Sequence, residues 1–112
     1  MCGISGLLHY PNPDRLESTI RHMGQLLNHR GPDDSGIWLE RQSGLALGHQ
    51  RLAIIDLSPA GHQPMYSFDN RYVMVFNGEI YNHRDLRNKL NSTRQTPWHG
   101  HSDTETLLAA FN

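Results

Sequence analysis

The only cysteine of this 112-residue chain is its second residue, Cys2, and a cysteine in that place has an unusual chemical option. A thiol attacks well only as thiolate, and near neutral pH it needs a base within hydrogen-bond reach. Once Met1 is removed, that base belongs to the same residue. A free α-amino group has a reference pKa of about 7.7–8.0, close enough to neutrality to take the thiol proton and return it to a leaving amine. Gly3 permits close approach of another backbone. The plainer reading is a small, readily buried residue that happens to be second. With one cysteine there is no internal disulfide, so the chain is not a disulfide scaffold.

The eight histidines, His9, His22, His29, His49, His62, His83, His99 and His101, raise metal binding as a second kind of chemistry. Only His99 and His101 are closely spaced, and there is neither a His-Glu-x-x-His motif nor a pair of cysteines, so no metal site is expected. Lys and Arg together number 10 against 11 Asp and Glu. That balance provides no basic excess for phosphate backbones or an anionic bilayer, and neither nucleic acid nor membrane is expected as a partner. Apolar runs such as Ile4 to Leu8 and Tyr72 to Phe76 fall far below the roughly 18 residues that span a bilayer. The N-terminus lacks the basic and apolar regions of a secretory signal, so the expected compartment is the cytoplasm.

The elements that must carry these residues fit one domain. Cys2 to Tyr10 reads as a buried strand, stopped by Pro11 and Pro13. Leu16, Ile20, Met23 and Leu27 recur at helical spacing, which predicts an amphipathic helix from Asp14 to near Gly31. A polar loop over His29 to Gly36 follows. Ile37 to Leu39 and Leu45 to Leu52 flank a Gln42-Ser43-Gly44 turn, predicting a hairpin that continues into Ala53 to Leu57. Ser58 to Pro64 is a second loop. Arg71 to Phe76 is the most β-branched and aromatic stretch; it breaks at Asn77-Gly78, with Glu79 and Ile80 expected to resume pairing. Asn82 can cap a helix through Leu90, and Ser102 with Glu105 forms a capping box for a helix running to the end.

Five motifs run in order along the chain: Met1-Cys2-Gly3-Ile4, His29-Arg30-Gly31-Pro32-Asp33, Gly48-His49-Gln50-Arg51-Leu52, Asn77-Gly78-Glu79-Ile80-Tyr81-Asn82, and Ser102-Asp103-Thr104-Glu105. Together they resemble the class II glutamine amidotransferase domain, an N-terminal nucleophile hydrolase domain, that opens the glutamine-hydrolysing asparagine synthetases. The resemblance runs from Met1 to the last residue. The stretch from Arg51 to Met65, Arg-Leu-Ala-Ile-Ile-Asp-Leu-Ser-Pro-Ala-Gly-His-Gln-Pro-Met, is similar to the asparagine synthetase branch in particular.

The resemblance implies an α+β fold, a four-layer αββα sandwich that is incomplete here, with residues 1–112 as the N-terminal portion of the domain and the synthetase domain absent. It makes Cys2 the nucleophile that takes the γ-glutamyl group of glutamine as a thioester. The Asn77 amide and the Gly78 N–H would hold the oxyanion, although Asn-Gly at a strand end is also an ordinary turn. Arg51 would bind the substrate α-carboxylate, a task suited to a planar guanidinium. Asp103 would accept from the α-ammonium with help from Glu79, and Asp103 also suits a helix N-terminus. Backbone at Leu52, Ala53, Ile54 and Ile55 would surround the substrate. His29 and Arg30 are read as structural, and Met65 and Tyr66 as core or rim.

Glutamine hydrolysis by this route needs no cofactor, ATP and Mg belonging to the synthetase domain. The implied partners are L-glutamine and a synthetase domain or chain that takes the ammonia for ATP-dependent asparagine synthesis, with homodimer formation left open. Two other readings remain: a non-catalytic remnant or interaction module, and an amidotransferase half serving a different ammonia acceptor.

Overall fold

Alternating side chains in the first fifty residues build a three-stranded antiparallel sheet, which a computed structural model of residues 1–112 describes in full. Strand β1 is Gly3–Leu7, β2 Asp34–Glu40 and β3 Leu45–Arg51, in the order β1-β3-β2. The register pairs Gly3 with Gln50 and Leu7 with Ala46 on one side of β3, and Asp34 with Arg51 and Glu40 with Leu45 on the other. Helix α1, Leu16–Leu26, covers one face of this sheet and buries Leu16 and Ile20 completely against Ala46, with Leu7, Tyr10, Met23, Ile37 and Leu39 around them. Gly48 leaves room on that face, since a Cβ there would stand 2.5 Å from Ser5 Oγ and 3.3 Å from Ile20 Cγ1. The turn from β2 to β3 needs its glycine too: Gly44 has φ +64, and its carbonyl accepts from Tyr10 N at 3.0 Å.

The rest of the chain is a two-stranded antiparallel ladder, β4 (Met65–Tyr66) with β5 (Val73–Met74), followed by helices α2 (His83–Thr93) and α3 (Asp103–Phe111). The two helices pack together, and α3 buries Leu108 and Ala109. This part meets the sheet on the face away from α1. There His49 Nε2 donates to Phe76 O at 3.2 Å and His62 Nδ1 lies 2.6 Å from Asp34 Oδ2. The architecture is α+β, and no helix is long and apolar enough to cross a membrane.

Several expectations are corrected. Strand β1 ends at Leu7 rather than Tyr10 and is not buried throughout: it is an edge strand, so Ile4 points away from α1 and is 47% exposed. Helix α1 ends at Leu26, because Leu27 leaves helical geometry and Asn28–Arg30 form a 3-10 turn. Strand β2 starts inside the expected polar loop, at Asp34, where Asp33 N donates to Arg51 O at 3.0 Å and begins the ladder. The hairpin does not continue into Ala53 to Leu57. The Arg51 guanidinium donates to the carbonyls of Asp56 and Ser58, folding that stretch back over the strand end. It leaves Ile54 71% exposed.

Strand pairing does not resume at Glu79 and Ile80, since Ile80 N donates instead to Asp103 Oδ2 at 2.8 Å, and only Val73 and Met74 of the Arg71 to Phe76 run form β5. Asn82 precedes α2 without a side-chain capping bond, and that helix continues past Leu90 to Thr93. Ser102 does cap α3, accepting from Glu105 N at 3.1 Å. The box is half made: the Glu105 carboxylate accepts from His99 N at 2.6 Å and Gly100 N at 3.0 Å, not from Ser102 N.

Candidate active site

Where the sheet meets the later segment there is a cavity of about 320 Å³, within the range of small-molecule sites. Cys2 enters it from the residue before β1, and its sulfur is fixed against the loop that follows β3. Leu52 N donates to Cys2 Sγ at 3.3 Å, and the thiol lies 3.6 Å from Leu52 O. Arg30, read as structural, donates from Nε to Cys2 O at 3.3 Å and so steadies the same residue from α1's end. Met1 also lines the cavity.

Arg51 enters from the end of β3 and is 8% exposed. Nη1 donates to Ser58 O at 2.9 Å and Nη2 to Asp56 O, and two such bonds leave three of its five N–H groups for other acceptors. Gly61 packs directly on this guanidinium; a Cβ there would collide with Nη2. Leu52, Ile54 and Ile55 of the folded-back loop form the adjoining wall, while Ala53 turns aside and donates its N–H to Asp33 Oδ2 at 2.9 Å.

The opposite wall comes from the irregular segment after β5 and from the N-terminus of α3. Asn77, Gly78 and Glu79 line it, with Asp103 behind them. Asp103 is buried and both its oxygens are engaged: Oδ2 accepts from Ile80 N and Oδ1 from Thr104 N at 2.9 Å. A carboxylate has lone pairs to spare after two such bonds. The cavity therefore brings one guanidinium and several carboxylates close to a thiol, an arrangement that can hold a zwitterion beside a nucleophile.

Of the residues singled out from the sequence, Cys2, Arg51, Leu52, Ile54, Ile55, Asn77, Gly78, Glu79 and Asp103 meet at this cavity, and Ala53 stands off it. Sequence reasoning missed Asp56, Gln63, Phe76, Tyr81 and Thr104, which also line it. Asp56 and Gln63 lie in the Arg51 to Met65 stretch and are polar residues in a loop, a pattern that normally means exposure; here both are buried. The Asp56 carboxylate is held down to about 2 by N–H donation from His101 and by the Ser58 hydroxyl, with the Arg51 charge adding to the effect. It thereby ties the Arg51 loop to the chain entering α3. Burial pushes the His49 imidazole below its ordinary value, which favours the neutral ring, and Nε2 donates to Phe76 O.

A family model described as a glutamine amidotransferase domain matches residues 1–112. Among individual proteins, the chain is 38% identical to a putative glutamine-hydrolysing asparagine synthetase 2 of Methanocaldococcus jannaschii, over 100% of the chain and 24% of that protein. It is 40% identical to glutamine-hydrolysing asparagine synthetase 3 of Bacillus subtilis, over 99% of the chain and 18% of that protein. It is 34% identical to the amidase chry2 of Gibberella zeae, over 99% of the chain and 18% of that protein. The chain thus spans about a fifth to a quarter of the length of these relatives.

Proposed function

The chain belongs to the glutamine amidotransferase domain family, and from that membership we propose that it hydrolyses L-glutamine to glutamate and ammonia through Cys2. The observation that supports this reading is the convergence of Cys2, Arg51, Asn77, Gly78 and Asp103 from separate segments on one cavity. After loss of Met1, the Cys2 α-amine takes the thiol proton as sulfur attacks the side-chain amide carbon of glutamine. The oxyanion so formed accepts from the Asn77 side-chain amide and the Gly78 N–H. Collapse breaks the carbon–nitrogen bond; the α-ammonium returns its proton to the departing amine, which leaves as ammonia. Water, deprotonated by the same amine, then cleaves the thioester and releases glutamate. Arg51 binds the α-carboxylate, Asp103 and Glu79 the α-ammonium, and the backbone of Leu52 to Ile55 closes around the substrate.

In this reading residues 1–112 are the N-terminal portion of one amidotransferase domain, and the fold is the opening part of a four-layer αββα sandwich. Support comes from α1 packed on one face of β1-β3-β2 and the later segment bonded to the other face through His49 and Asp34. The ammonia passes to a synthetase domain or chain that makes asparagine from aspartate, and ATP and magnesium serve that step alone.

Glutamate release by the untagged chain, with intact mass read in parallel, tests the proposal. A Met-free chain is expected to turn over, and Cys2→Ala to fall below about one thousandth of it. A chain that keeps Met1 is expected to be inactive, since its α-amine then sits one residue from the thiol-bearing carbon. Turnover by Cys2→Ala, or full turnover with a blocked terminus, refutes the mechanism.

A further inference from the structure

Asn77 and Gly78 lie in a segment without regular secondary structure, so something other than a strand ladder must hold them. Phe76, immediately before them, has both of its backbone polar groups taken by buried side chains from elsewhere in the chain. Its N–H donates to Gln63 Oε1 at 2.6 Å, and its carbonyl accepts from His49 Nε2 at 3.2 Å. His49 stands in the middle of the three-stranded sheet and Gln63 at the end of the loop from β3 to β4, 27 and 13 residues away. Gln63 is anchored in turn, its Nε2 donating to Thr104 Oγ1 at 3.2 Å, and its own carbonyl is pressed against Gly36 of β2, where a Cβ would collide with it. The two side chains do the work of a neighbouring strand, one supplying the acceptor and the other the donor.

We infer that His49 and Gln63 are positioning residues for the Asn77–Gly78 pair, acting through the Phe76 backbone. The inference rests on the glutaminase reading above. Burial lowers the His49 pKa and so favours the neutral ring, which has a single N–H. A carbonyl can only accept, so that N–H is on Nε2. Placing the oxyanion donors to a fraction of an ångström is what a rigid backbone anchor contributes, and misplacement by about 1 Å is enough to lower a rate about 100-fold.

The test compares variants that keep or lose the hydrogen bond to the Phe76 backbone while remaining polar or similar in size; Gln63→Met also gives up the bond to Thr104. In His49→Gln the amide nitrogen reaches the place of Nε2, and in His49→Asn it does not. Gln63→Glu keeps an acceptor for Phe76 N, and Gln63→Met keeps the volume without one. Glutamate release by the full chain gives kcat and KM, and glutamine binding is measured in the same variants carrying Cys2→Ala. His49→Asn and Gln63→Met are expected to lose kcat about 10- to 100-fold with KM and affinity within about twofold, while His49→Gln and Gln63→Glu recover most of the rate. Wild-type kcat in His49→Asn and Gln63→Met overturns the inference, as does an equal loss in all four variants or a loss confined to KM. Absence of Cys2-dependent turnover in the wild-type chain removes the glutaminase reading first, and this inference with it.

Discussion

Arg51 serves two surfaces at once: two of its N–H groups hold the carbonyls of the loop over it, and the residue also lines the cavity. Arg51→Ala removes the loop's anchor and the cavity's guanidinium together, and is expected to weaken glutamine binding about 100-fold. Calorimetry in a Cys2→Ala background measures it, and unchanged affinity shows the carboxylate assignment wrong. A subtler change reaches the same group from outside. Gly61→Ala puts a methyl where Nη2 now lies, so the guanidinium must shift; KM is expected to rise about tenfold or more with kcat much less affected, read from steady-state kinetics. That Cys2, Arg51, Asn77, Gly78 and Asp103 belong together was legible because they sit in short motifs, and they do line one cavity. The parts played by His49, Asp56 and Gln63 were not, because each depends on a bond to a residue far along the chain.

Among the elements, the two later helices begin in contrasting ways. Ser102 accepts from Glu105 N and so caps α3, whereas Asn82 makes no side-chain cap for α2. Ser102→Ala is therefore expected to destabilise the protein by about 1 kcal/mol and Asn82→Ala by less than about 0.5 kcal/mol, both measured by urea unfolding; equal effects contradict the difference in capping. Because Asp103 follows the cap directly, Ser102→Ala also loosens a wall of the cavity. The periodicity of Leu16, Ile20 and Met23 and the turn at Gly44 announced α1 and the β2-β3 hairpin, since local pattern and tertiary burial agree there. The stretch from Ala53 to Leu57 misled: its apolar run is that of a strand, yet the Arg51 side chain captures the carbonyls of Asp56 and Ser58 and leaves Ile54 and Leu57 outside. Pairing beyond Gly78 failed for a similar reason, one buried carboxylate having taken the Ile80 amide that a ladder would have used.

At the scale of the whole molecule, the body measures 46 × 30 × 18 Å and is so flat that its buried aliphatic side chains are few: Leu16, Ile20, Ala46, Leu108 and Ala109. The first three belong to the α1 and sheet part, the last two to α3, and between these parts the named bonds are polar: His49 with Phe76, His62 with Asp34, Asp56 with His101. The Asp56 bond is sensitive to acid. Its folded-state value of about 2 lies below the ordinary 3.8, so its contribution to stability is fully present above about pH 4 and disappears as pH falls through 2. Asp56→Asn is expected to be less stable than wild type at pH 6, with the gap closing between pH 4 and 2 in parallel denaturation curves; a gap independent of pH refutes the assignment. Cys2 belongs to one of these two bodies, and Asn77 and Gly78 to the other. In the proposed reaction the thiol and the oxyanion donors thus face each other across a seam whose screws are hydrogen bonds, and turnover is expected to gauge how firmly the two sides are seated.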